Sequence, residues 1–116
     1  MSRRVVITGM GAISPLGLDV PTLWQGLVEG RSGVGPITLF DASAHDTRFA
    51  AEVKGFDPLR YMDRKEARRT DRFVQMVLAA AQEAMAQSAL KVEGSALERV
   101  GVVFGSGIGG FATLYQ

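Results

Sequence analysis

Val100-Gly101-Val102-Val103-Phe104-Gly105-Ser106-Gly107-Ile108-Gly109-Gly110 is the stretch on which the fold reading turns. Its first half is short, rich in β-branched residues and apolar on both faces. That pattern predicts a strand covered on both sides, as in parallel or mixed sheets. Glycines then close it, and Phe111 begins a helix. Arg4-Val5-Val6-Ile7-Thr8, ended by Gly9-Met10-Gly11, has the same form and predicts a second such strand.

The segments between them predict helices and one weaker strand. Asp19 is a suitable N-cap and Pro21 suits a first turn. Leu23, Trp24, Leu27 and Val28 then form an apolar stripe, and Gly30 is placed to stop it. Residues 31–36 read as loop and residues 49–53 as a short strand. Asp57-Pro58 opens a turn or short helix. Asp63 and Glu66 form a loose cap over a short basic helix. A long helix spans residues 71–88, with Phe73, Val77, Ala80, Ala81, Ala84 and Met85 on one face. Its alanines permit close approach of a neighbour. Strands alternating with helices predict an α/β layered fold. The last helix starts without an end, so a truncated domain is expected.

The chain has 116 residues, 47% hydrophobic and 22% charged, with a net charge of +1. This is a globular balance, with no global field to attract nucleic acid or a membrane surface. Cysteine is absent and His45 is the one histidine, which excludes disulfides, thiolate metal sites and cysteine catalysis within these residues. No apolar run approaches the ~20 residues of a membrane span. The N-terminal apolar run breaks too early for a signal peptide. A cytoplasmic protein is expected, with no cofactor.

Two glycine turns after strands invite a dinucleotide reading. The first has two of the three fingerprint glycines, and Pro15 blocks the expected helix start. The second spaces its glycines more closely to the fingerprint, and neither has the Lys-Ser/Thr of a phosphate loop. Close backbone packing or the border of a ligand crevice explains them as well.

Residues 60–72 carry six cations, Arg60, Arg64, Lys65, Arg68, Arg69 and Arg72, against three carboxylates, a local balance of +3. Arg64, Lys65, Arg68 and Arg69 share one helical face. Three readings compete: a solvated face with weak intrahelical ion pairs, a docking patch for an acidic partner, and RNA binding. The last lacks interleaved aromatics.

In unbroken order, several motifs resemble the opening of an elongating type II β-ketoacyl-acyl-carrier-protein synthase. They are Arg4 to Gly11 and Ile13-Ser14-Pro15-Leu16-Gly17, then Trp24 with Gly30-Arg31-Ser32-Gly33-Val34. Phe40-Asp41 and Phe49-Ala50-Ala51-Glu52-Val53 follow. Arg64-Lys65-Glu66, Arg68-Arg69, Asp71-Arg72-Phe73 and the glycine turn at 105–110 complete the series. Each motif is weak alone; the ordered series is specific.

The resemblance implies a thiolase-like layered α/β fold. Residues 1–116 would supply the N-terminal part of a ketosynthase domain, only part of the first core repeat, in a homodimer. It implies acyl transfer to a cysteine, then decarboxylative condensation with malonyl-acyl carrier protein in fatty-acid elongation, supported by two histidines. Those residues lie beyond this chain, so it contains no catalytic residue and is expected to be inactive alone. His45 matches no catalytic position and is expected on the surface or in a loop. The resemblance places carrier-protein docking at Lys65, Arg68 and Arg69. It places Ile108 in the wall of the acyl pocket, where an apolar wall discriminates by ~1–3 kcal/mol per methylene. The rival readings are a non-catalytic carrier-protein-binding module, a polyketide ketosynthase fragment and a dinucleotide-binding oxidoreductase fragment.

Overall fold

Asp19 starts the first helix as expected. The computed structural model describes residues 3–114, in which helix α1 runs Val20–Val28 and the Asp19 carboxylate accepts from the Thr22 N–H at 2.7 Å. Gly30 follows the C-cap at φ +65°, the left-handed turn that a residue without Cβ adopts freely. The apolar stripe is not covered: Trp24 is 66% exposed, and Leu27 and Val28 are also exposed. Periodicity reports which face could be buried. It does not supply the surface that buries it.

Strands β1 (Val34–Pro36) and β2 (Phe49–Ala51) pair antiparallel, Val34 opposite Ala51 and Pro36 opposite Phe49. β1 corrects the loop expected at residues 31–36. Pro36 is tolerated because a two-stranded ribbon is all edge. The Glu52 side chain, only 6% exposed, closes the ribbon beside it. Its carboxylate accepts from the Thr38 hydroxyl at 2.7 Å and the Leu39 N–H at 3.1 Å. Residues Ala12–Asp57 form one unit, with Ala42 and Phe56 as its buried apolar residues.

The other unit joins the residues through Gly11 to those from Pro58 onward. A 3-10 turn at Pro58–Arg60 leads into α2 (Arg64–Ala67) and then α3 (Arg72–Ser88). A second 3-10 stretch, Gly94–Arg99, and a short α4 (Phe111–Leu114) follow. Helix α3 packs on two faces. Gln75 and Ala79 are buried on the face toward residues 58–70, a face that the apolar pattern did not indicate. The expected alanine face receives Gly9 and Gly11. A Cβ on Gly11 would overlap the Ala80 carbonyl, and one on Gly9 would meet the Ala84 carbonyl. Backbone-on-backbone contact of this kind is available only to glycine. It gives the first glycine turn a packing role.

Residues 4–8 and 100–104 form no strand, contrary to expectation. Among the described residues the sheet consists of β1 and β2 alone. Val5 is 93% exposed and Val103 94%, so neither segment is covered on both faces. A helix closes its hydrogen bonds within itself, whereas a strand needs another strand beside it. The apolar sequence is the local half of that requirement. Helices and a small sheet share the chain, which agrees with an α/β class. The observed pairing is antiparallel.

Candidate functional site

Asp63 organises the basic turn. Its carboxylate accepts from the Glu66 N–H at 2.8 Å and caps α2, as the spacing predicts. The Thr70 hydroxyl donates back to the Glu66 carbonyl at 2.9 Å. Two glutamines of α3 then hold the turn. The Gln75 amide donates to the carbonyls of Ala67 at 2.8 Å and Thr70 at 3.0 Å. The Gln82 amide donates to the Tyr61 carbonyl at 2.8 Å. Gln75 is buried and is fully engaged as a donor. The one signal for it in the sequence is a polar residue inside a largely apolar helix.

Lys65, Arg68 and Arg69 all project from this turn into solvent, and no ion pair among the described residues uses them. The solvated face is as the intrahelical-pairing reading expects, but its ion pairs are absent among the described residues. Helix α2 is a single turn, and its one acid in the first turn, Glu66, forms no bridge to them. Three unneutralised cations on a buttressed turn present a local positive surface to an anionic partner.

Ile108 lies on a different loop. Gly105 to Gly110 is closed by the Gly109 N–H donating to the Ser106 hydroxyl at 3.0 Å, with Gly109 at φ +78°. Ile108 is 74% exposed. The neighbouring apolar groove, about 340 Å³, is lined by Phe73, Val77 and Leu78 of α3 facing Val102 and Phe104. Ile108 is not in that wall. The structure therefore brings Lys65, Arg68 and Arg69, the residues expected to dock a partner, together and leaves Ile108 apart from them.

The perturbed acids all lie in the Ala12–Asp57 unit. Hydrogen bonding from Thr22 lowers the Asp19 pKa, Ser43 lowers that of Asp41 and Thr38 that of Glu52. These carboxylates cap and clasp backbone. His45 is exposed in a loop, as expected, with its ring edge-on to Phe40 at 5.8 Å.

Comparison with known proteins gives these features a context. Residues 2–116 match the family model of the β-ketoacyl synthase N-terminal domain. The chain is 48% identical over 112 residues to 3-oxoacyl-[acyl-carrier-protein] synthase 2 of Synechocystis, covering 97% of this chain and 27% of that protein. It is 53% identical over 108 residues to the protein of the same name from Coxiella burnetii, covering 93% of this chain and 26% of that one. Among solved structures, the ishigamide ketosynthase/chain length factor aligns with a TM-score of 0.71 at 39% identity, over 78% of this chain and 22% of that one. The chain thus spans about a quarter of the length of the curated relatives it matches.

Proposed function

The chain belongs to the β-ketoacyl synthase family through its N-terminal domain, and from that premise we propose that it works within a 3-oxoacyl-acyl-carrier-protein synthase 2. The observation that carries this reading is 48% and 53% identity to proteins of that name over nearly the whole chain. The reaction is an acyl transfer. An acyl group carried on an enzyme cysteine is attacked by the carbanion released when malonyl-acyl carrier protein loses carbon dioxide; the carbon–carbon bond forms as the thioester carbon–sulfur bond breaks and the cysteine leaves as thiolate. The cysteine and the two histidines of this reading belong to the family's remaining length, since this chain has no cysteine. Residues 1–116 supply part of a thiolase-like layered α/β domain in a cytoplasmic homodimer. They contribute binding surface rather than catalytic groups.

In this reading Lys65, Arg68 and Arg69 dock acyl carrier protein, an acidic partner. What supports it is their exposure on one turn, with no internal ion pair to break before a partner binds. Charges at the rim of an interface act chiefly on encounter and on salt dependence. Ile108 contributes to the acyl pocket wall, and its bulk limits chain length.

The test is charge reversal. Changing Lys65, Arg68 and Arg69 together to glutamate in the full-length protein should weaken acyl-carrier-protein binding and flatten its salt dependence, with the thermal midpoint unchanged. Unaltered affinity at low salt would remove the docking assignment. Failure of the unmodified full-length protein to condense malonyl- and acyl-carrier protein would remove the function itself.

A further inference from the structure

Asp71 stands at the N-cap of α3 yet makes no side-chain cap hydrogen bond. Aspartate is favoured at that position because its carboxylate accepts from the first helical N–H groups. Here the carboxylate turns away, and its Oδ1 accepts from the Thr113 hydroxyl at 2.6 Å, across 42 residues of sequence. Gly110 lies so close that a Cβ there would overlap the Asp71 carboxylate. Asp71 and Phe73 share a recess of about 140 Å³ with Gly109, Gly110 and Phe111.

These contacts fix one end of the loop that carries Ile108. Ser106 fixes the other by accepting from the Gly109 N–H. Between them the Ile108 side chain is largely exposed and little of it is covered by neighbours. Its pose therefore depends on the two anchors. The Asp71 anchor is the more distant in sequence, and a helix that is itself tied to the basic turn through Gln75 bears it.

We infer that Asp71 is a positioning residue. Through the Thr113 hydroxyl it sets the pose of the Ile108 loop, and so the acyl-chain length that the full-length enzyme accepts. The inference rests on the reading of Ile108 as pocket wall.

The experiment compares kcat/KM for a short-chain and a long-chain acyl-carrier-protein substrate in the full-length enzyme carrying Thr113→Val, Thr113→Ser, Asp71→Ala or Ile108→Phe. Thr113→Val and Asp71→Ala should change the long-to-short ratio by roughly 2- to 10-fold, the effect of one hydrogen bond. Thr113→Ser keeps the hydroxyl and should restore the original ratio. Affinity for acyl carrier protein should stay unchanged in all four. An unchanged ratio in Thr113→Val while Ile108→Phe shifts it would overturn the inference and leave the pocket reading intact. An unchanged ratio in Ile108→Phe would overturn both. An equal loss for every acyl substrate, in Thr113→Ser as in Thr113→Val, would reduce the contact to a fold-maintaining one and overturn the positioning role.

Discussion

Glu52 shows how much one carboxylate can organise. Three donors from Thr38 and Leu39 converge on it, and they hold its pKa below the ordinary 4.5, Thr38 foremost. A depressed folded pKa contributes stability that is present above the unfolded value and lost as pH falls through the folded one. Amide protection at Thr38 and Leu39 should therefore decline below pH 4.5, measured by hydrogen exchange after correction for intrinsic rates. Glu52→Gln should lower that protection and flatten its pH dependence, because an amide accepts without a charge to titrate. Protection that ignores pH in the unmodified chain would count against the clasp. Glu52 lay in a legible strand motif, but its partners did not, since 13 and 14 residues separate it from Leu39 and Thr38. Asp19 and Asp63 are the opposite case. Their partners are three residues away, and both caps could be read directly.

Helix α3 is the element around which one unit is built, and its two faces differ in legibility. The alanine face was visible from apolar spacing, and Gly9 and Gly11 occupy it. The Gln75–Ala79 face was not, because a buried glutamine breaks the apolar pattern while serving the packing. Its amide ties α2 and the following loop to α3. Gln75→Leu should leave the Ala67 and Thr70 carbonyls without that donor and destabilise the fold by about 1–3 kcal/mol. Chemical denaturation of the full-length protein reads that loss. Under the proposed docking, the same variant should weaken carrier-protein binding, since Arg68 and Arg69 lie between the two carbonyls that Gln75 holds. A stability change below about 0.5 kcal/mol would show that the turn is held by its own hydrogen bonds.

Over the whole molecule, the feature that stands out is uncovered apolar surface. Val5, Ile7, Val102, Val103 and Phe104 are exposed together with Trp24 and Ile108. Solitary exposed hydrophobes are common, but apolar runs of this kind are interaction surface or an aggregation liability. The 116-residue chain should accordingly bind a hydrophobic dye such as ANS strongly in native buffer, and the full-length protein should bind it weakly per mole. Equal weak binding by both would mean that these segments are covered within the 116 residues. By itself the sequence determined the helices, the caps at Asp19 and Asp63, the stop at Gly30 and the cluster of Lys65, Arg68 and Arg69. It also determined the family. All of these depend on neighbours within a few residues, or on motif order, and a linear reading reaches both. Only the tertiary structure decided that residues 4–8 and 100–104 pair with nothing among the described residues, that residues 34–36 form a strand, that Gln75 is buried, and that Asp71 forgoes its own helix for Thr113. Each of those depends on which distant groups arrive beside a residue. Hydrogen bonds across tens of residues leave no periodicity in the sequence to be read.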